Sequence, residues 1–327
     1  MKFRSKICVV GAGCWGKNHI KTLYSLNSLS GIVDLDSNIL NELKDIYPDV
    51  AFYANLREAL SSNAFSAFII STPANNHFKT AKEVIEAGYS VLVEKPLTLD
   101  YKEAIELKAL SIKNGVYIMA GHLLLFHPAI IKIKNLIDLG TIGKLQYIYS
   151  NRLNLGVVRS KENVFWSFAP HDISLFQYFI QSYPISIEST GGAYLQSQIH
   201  DTTLTILKYD HNIQGHIFVS WLHPFKEHRL VIVGSKGMIS FEDGIENKPI
   251  KLFDKSYDIS NGVPEKKEGN VELIHYKNSS PLTEQLIYFI KHLSTGIIDT
   301  SNVDCAIDVV KILNTASENL TKEYEET

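Results

Sequence analysis

Cysteine is scarce in this chain: Cys8, Cys14 and Cys305 are the only three among 327 residues. They form no CxxC pair and no even-numbered framework, which excludes a disulfide-stapled scaffold and fits a reducing cytoplasm. Cys8 and Cys14 flank a glycine turn and read as small apolar filler. Net charge is equally sparse. Thirty-two Lys and Arg against 35 Asp and Glu leave a formal charge of -3, giving no electrostatic ground for a nucleic-acid or acidic-membrane partner. No apolar run approaches the roughly 20 residues of a membrane span. No signal-peptide core precedes the first strand at Met1–Lys6. Internal repeats and Pro/Ser-rich linkers are missing as well. His216, His223 and His228 fall on or beside strands without metal-ligand spacing such as HExxH, so no metal is expected. These absences leave a soluble, cytoplasmic, globular protein, long enough for two domains.

What is present begins with an alternation. Apolar strands at Lys6–Val10, Gly31–Val33, Ala67–Ile70, Val91–Val93 and Val116–Ala120 interleave with helical stretches at Trp15–Leu26, Ser37–Ile46, His77–Ala87 and Tyr101–Asn114. That grammar predicts a doubly wound parallel sheet. After Gly121 it changes. A helix over Ala129–Leu139 leads to a strand over Leu145–Asn151, and beyond Ser182 the period becomes two, as in Ile213–Trp221. Consecutive strands without helices predict an antiparallel sheet. The tail returns to helix at Val303, Ile307, Val310, Leu313 and Leu320. The polar stretch Asp258–Asn270 reads as a mobile surface loop. The fold class expected is α/β: a Rossmann domain over 1–121, then an α+β domain over 122–327 with a large, mostly antiparallel open sheet.

Gly11-Ala12-Gly13-Cys14-Trp15-Gly16 follows a strand and opens a helix, and Asp34 closes the next strand. This is the dinucleotide fingerprint in its structural context. Gly11 permits the turn, Gly13 lets the backbone approach a pyrophosphate, and Gly16 lets helix and strand pack closely. The helix N-terminus favours the phosphates. Asp34, reinforced by Asp36, accepts ribose hydroxyls and repels a 2′-phosphate, so the cofactor expected is NAD. Thr72 and Pro73 lie in a polar turn after a parallel strand, where ligands of such sheets bind. Cys14, Trp15 and His77 join the cofactor candidates, His77 also reading as the first residue of a helix.

Glu94-Lys95-Pro96 ends another buried strand. Proline restricts both its own backbone and that of the lysine before it, so the amine is held stiffly. Together with Gly11–Gly16, Thr72-Pro73, Gly121-His122, Phe126-His127-Pro128, Gly140, Gly143-Lys144 and Pro170-His171-Asp172, this segment gives the chain a strong resemblance to the family of glucose–fructose oxidoreductase, inositol dehydrogenase and MocA. The resemblance implies that Lys95 is catalytic and that Glu94 contacts the nicotinamide end, with His122 and Trp166 near the cofactor. It implies that His171 is the general acid/base, although Ser167 stands where the family usually has aspartate. A serine can hydrogen-bond a hydroxyl but cannot be a charged base, which leaves Asp172 or another acid to orient His171. Without the resemblance, His171 reads as a helix-start histidine capping backbone groups.

The stretch Arg152–Trp166 is expected to be a loop before His171, with Arg152, Asn154, Arg159 and Asn163 recognising a polar, anionic substrate alongside Lys95, Ser167 and His171. It is similar to the branch that oxidises the 3-hydroxyl of UDP-N-acetylglucosamine or its uronic acid. The function implied is NAD-dependent oxidation of a nucleotide-linked sugar by a homodimer or homotetramer joined through the second sheet. A keto-sugar reductase, an inositol or free-sugar dehydrogenase, and a non-catalytic NAD sensor or scaffold remain the alternatives.

Overall fold

A computed structural model describes residues 5–260, 262–296 and 298–325, with side chains as far as Thr321. Residues 1–4, read above as leading straight into the first strand, lie outside the described residues, as does Asn261 of the expected mobile loop. The chain forms two compact units. One takes the residues up to Phe126 together with Ser280–Val310, the other His127–Ser279 and the chain from Lys311 onward. The sequence places the division at 121/122 and gives the whole remainder to the second half.

The first unit runs β1 (Ile7–Val10), α1 (Cys14–Ser25), β2 (Leu29–Val33), α2 (Ser37–Ile46), β3 (Ala51–Tyr53), α3 (Leu56–Ser61), β4 (Ala67–Ile70), α4 (His77–Glu86), β5 (Ser90–Val93), α5 (Tyr101–Asn114) and β6 (Ile118–Ala120). Its sheet is parallel throughout, in the order β3-β2-β1-β4-β5-β6. This is the doubly wound Rossmann order, whose ligand crevice lies where the winding reverses, between β1 and β4. Cys8, Val10, Phe68, Ile70, Val91 and Val93 are all buried in one core, as strands covered on both faces must be. Helix starts are set locally: Asp36, Asn55 and Asp100 each accept a backbone N–H in the first turn of α2, α3 and α5. Asp36 thus also caps α2. β3 and α3 carry no signal in the sequence reading.

The second unit contains α6 (Pro128–Asp138), β7 (Leu145–Leu155), α7 (Val164–Ile180), β8 (Ser186–Gly192), β9 (Thr202–Lys208), β10 (Gln214–Ser220), β11 (Leu222–Gly234), β12 (Met238–Glu242), β13 (Ile250–Phe253), β14 (Ser256–Asp258), β15 (Glu265–Lys267) and β16 (Val271–Ile274). Eight of these strands form a sheet in the order β16-β13-β12-β11-β7-β10-β9-β8, antiparallel except where β10 pairs with β7. α7 packs against β7, β9 and β10. Gly215 in β10 makes room for it, since a Cβ there would stand 2.8 Å from the Phe176 ring. β14 and β15 form a separate hairpin, so part of the expected loop Asp258–Asn270 is paired strand.

Two helices follow, α8 (Pro281–His292) and α9 (Val303–Glu325). Between them Ser301 and Asn302 run beside β6: the Ala120 N–H donates to the Ser301 carbonyl at 2.9 Å and the Ser301 hydroxyl to the Ala120 carbonyl at 2.7 Å. That covers the open edge of the first sheet. Ala306, Ile307 and Val310 complete its core. Among the described residues no helix is long and apolar enough to cross a membrane.

Candidate functional site

The glycine turn between β1 and α1 is built around three backbone demands. Gly11 has φ +93°, and a Cβ there would meet the Ser71 carbonyl oxygen at 2.7 Å. A Cβ on Gly16 would lie 2.0 Å from the Gly11 carbonyl oxygen, so α1 leaves the turn with no space to spare. Gly13 is the opposite case: nothing lies within 4 Å of its hypothetical Cβ. That open space is where a ligand can approach the backbone. Asp34 sits across the turn, taking the Ala12 N–H on Oδ2 at 2.6 Å and the Asp36 N–H on Oδ1 at 2.9 Å. A carboxylate oxygen has two acceptor sites, so each keeps one for a ligand hydroxyl.

A cavity of about 480 Å³ opens here, lined by Gly11, Gly13, Asp34, Leu35, Thr72 and Pro73 among others. The Thr72 hydroxyl is buried with no hydrogen-bond partner among the described residues. A buried hydroxyl left unpaired is costly, and one beside this cavity fits a partner supplied by a ligand. The residues present therefore fit a dinucleotide. Gly11, Gly13, Asp34, Thr72 and Pro73, all expected from the sequence, come together. Cys14 does not behave as filler: it is exposed in the first turn of α1, whereas Cys8 is buried, where burial pushes its thiol well above the ordinary range.

Trp15 and Glu94 meet in a way that sequence reading does not give. Glu94 follows β5 and is buried. Its Oε1 accepts the Trp15 indole N–H at 2.5 Å and faces His19 Nε2 at 2.7 Å, while Oε2 accepts the Lys95 N–H at 3.2 Å. Burial alone would raise the carboxyl, but the His19 hydrogen bond and charge, the Trp15 indole and the Lys95 N–H together hold it below the usual carboxylate range. Gly121 is required beside it, since a Cβ there would come within 2.8 Å of Glu94 Oε2. His19 is the residue the sequence reading misses. Its signal is a histidine one turn after Trp15, on the α1 stripe that also buries Ile20 and Leu23.

His122, expected near the cofactor, is buried, and neither ring nitrogen has a partner among the described residues. Burial, aided by the Lys95 charge and opposed by Glu94, pushes its pKa down to about 4, so it is neutral at ordinary pH. His77 is a correction. It does begin α4, but its ring faces the Pro96 carbonyl through Nδ1 at 2.7 Å and the Thr72 carbonyl through Nε2 at 2.9 Å. Both nitrogens face carbonyls of the protein itself.

In the second unit the substrate-side expectations divide. Arg152 and Asn154 are not in a loop but in β7, and Trp166, Ser167 and His171 lie in α7, where His171 is mid-helix, one turn after Ser167. Arg152, its side chain 11% exposed, gives Nε–H to Asp172 Oδ2 and Nη2–H to Asp172 Oδ1, both at 2.8 Å. The Ser150 hydroxyl adds a third bond at 2.6 Å. The Arg152–Asp172 pair is internal, which removes both the reason to make Arg152 an anion binder and the suggestion that Asp172 orients His171. Asn163 is the N-cap of α7, accepting the Trp166 N–H at 3.1 Å. The Trp166 indole N–H donates to Ser317 at 2.8 Å. Arg159 stays exposed, its nearest acid Glu162 at 3.9 Å. Asn154 has a buried side-chain oxygen with no partner among the described residues.

A parallel sheet in this order, with a glycine turn, an aspartate lining the cavity and an orphaned hydroxyl at its switch point, defines an NAD-binding Rossmann unit. The family model described as "Oxidoreductase family, NAD-binding Rossmann fold" matches residues 5–122, and the GFO/IDH/MocA C-terminal domain matches residues 130–240. The chain belongs to the GFO/IDH/MocA family of oxidoreductases. It is similar to UDP-N-acetylglucosamine 3-dehydrogenase of Acidithiobacillus ferrooxidans, 27% identical over 57% of this chain and 57% of that protein. A solved structure of that enzyme, GnnA, superposes with TM-score 0.85 at 20% identity over 97% of each chain. The scyllo-inositol 2-dehydrogenase (NAD(+)) of Bacillus subtilis is 23% identical over 73% of this chain and 74% of its own length. The WlbA dehydrogenase of Bordetella pertussis, solved with NADH and UDP-GlcNAcA, superposes with TM-score 0.79 at 17% identity, covering 98% of this chain and 97% of that one. The sequence match thus spans little more than half the length of the 3-dehydrogenase.

Proposed function

We propose that this chain is an NAD-dependent dehydrogenase oxidising a secondary hydroxyl of a nucleotide-linked sugar, the 3-hydroxyl of UDP-N-acetylglucosamine or its uronic acid. The observation that carries the reading is Lys95. Its amine follows β5, one strand over from the β4 turn that lines the dinucleotide cavity, and its neighbour Glu94 is tied to the dinucleotide helix α1. The similarity to UDP-N-acetylglucosamine 3-dehydrogenase supports the substrate class.

In this reading bound NAD supplies the acceptor for the hydrogen that leaves carbon as hydride. The protein's own residues do the rest. Asp34 and the glycine turn hold the adenosine and pyrophosphate. Glu94 is held ionised and anchors the start of the Lys95 segment. Lys95 donates a charged hydrogen bond to the substrate oxygen, stabilising the alkoxide as it forms. His171 takes the hydroxyl proton, with Ser167, one turn earlier on α7, offering a neutral hydrogen bond where related enzymes use a carboxylate. Asn154 and Arg159 are proposed to meet the substrate from this unit as well, Arg152 being engaged by Asp172.

The test is purified protein with NAD and a panel of UDP-N-acetylglucosamine, its uronate, free N-acetylglucosamine and inositol, following NADH. Turnover confined to the UDP-sugars supports the reading. Turnover on inositol or a free sugar alone moves the enzyme to the inositol or free-sugar dehydrogenases. NAD binding without turnover on any member makes it a sensor. Self-association is proposed through the second sheet, where Ile206, His216, Tyr149 and Val231 lie in register across β9, β10, β7 and β11 and stay only half-buried.

A further inference from the structure

The mechanism leaves several buried titratable side chains without a task, His77 among them. His77 is 1% exposed and stands at the start of α4, between two loops of the same unit. One is the turn after β4, whose Thr72 lines the dinucleotide cavity. The other is the Lys95-Pro96 segment after β5. The imidazole spans them, with Nδ1 2.7 Å from the Pro96 carbonyl and Nε2 2.9 Å from the Thr72 carbonyl. Neither loop has a regular ladder at these positions, so a carbonyl here needs a partner from elsewhere. We propose that His77 is a positioning residue that couples the two loops, fixing the Thr72 turn against the dinucleotide with one nitrogen and the Lys95 amine, through Pro96, with the other. The inference rests on the reading of Lys95 as the amine that meets substrate.

The chemistry of the contacts sharpens the inference. Both partners are carbonyls, which only accept, so each bond needs hydrogen on the nitrogen facing it. A neutral ring has one N–H, and holds both loops at once only as the imidazolium. Burial is the largest influence and, with Lys95, outweighs the two carbonyls and Glu94, so the pKa lies below the ordinary histidine value. In the neutral ring one nitrogen donates at a time, to one loop or to the other, and the two amide isosteres separate the two loops. Asparagine places its amide near Nδ1 and glutamine near Nε2. His77→Asn keeps a donor for Pro96 and lacks one for Thr72. His77→Gln does the reverse.

The experiment measures two quantities that require no turnover: the NAD dissociation constant by calorimetry, and the rate of Lys95 acetylation by acetic anhydride, read by mass spectrometry. His77→Asn is expected to weaken NAD by about 5–10-fold, the value of one hydrogen bond, with Lys95 labelling near the wild-type rate. His77→Gln is expected to leave NAD affinity near wild type and change the Lys95 labelling rate several-fold. Equal effects of both variants on both quantities, or no effect on either, would overturn the coupling. In the wild type, imidazole nitrogen chemical shifts report the same point without any substitution. Two ring nitrogens free of hydrogen bonds would also overturn it. Since neither readout uses substrate, an inactive or unexpectedly active Lys95→Ala bears on the catalytic reading and leaves this result standing.

Discussion

Glu94 holds a negative charge at 8% exposure because Trp15, His19 and the Lys95 N–H all donate to it. Its folded pKa is depressed relative to an unfolded value of about 4.3, so its stabilisation is fully present above that value and is lost as pH falls through the folded pKa. Melting curves of the wild type should therefore decline below about pH 4, and Glu94→Gln should lack that component of the decline. An identical acid slope in the two proteins would contradict the assignment. Arg152 invites a second test. Truncating one member of a buried ion pair strands the other, so Arg152→Ala should cost about 3–5 kcal/mol in urea unfolding. The apolar double replacement Arg152→Met/Asp172→Leu should recover much of that loss. A substrate-binding arginine would instead leave the unfolding midpoint unchanged and raise KM. The sequence shows Arg152's charge but not its partner twenty residues on, which is why it reads as an anion binder; Asn163 misleads in the same way, though its place ahead of an apolar helical run is a legible cap signal.

Helix α1 links the dinucleotide turn to Glu94, so its position relative to β1 governs both. Gly16→Ala puts a methyl 2.0 Å from a backbone oxygen that no side-chain rotation can relieve. The variant should lose about 1–3 kcal/mol of stability and bind NAD at least about tenfold more weakly, by thermal melting and calorimetry. Native-like NAD affinity would show that α1 shifts freely. The elements around this turn are legible because each serves a local need: glycines for the backbone, continuous apolar runs for covered strands, and an acid at the next strand end. α2, α5 and β4 fall on their expected residues. β7 does not, because Arg152 and Asn154 are polar and suggest a loop, yet Leu153 between them is buried and continues the strand alternation. β3, with one exposed and two half-buried residues, has too little apolar pattern to announce itself.

Two features of the protein belong to no single element. The return of residues 280–310 to the first unit is invisible in sequence order, since nothing in Ser301 or Asn302 advertises a place beside β6. The half-buried face carrying Tyr149 and His216, stacked at 5.0 Å between ring centroids, bears on association. Sedimentation should give a dimer or tetramer for the wild type and a smaller species for Phe218→Glu, which places a charge on that face; a monomeric wild type would contradict the proposed association. The central claim concerns the reaction itself, and isotope transfer tests it most directly. With UDP-N-acetylglucosamine deuterated at carbon 3, the label should appear in the reduced nicotinamide. Lys95→Ala should transfer it about 10²–10³-fold more slowly while still binding NAD. Undiminished transfer in Lys95→Ala, or reduced nicotinamide formed without label, would contradict the account.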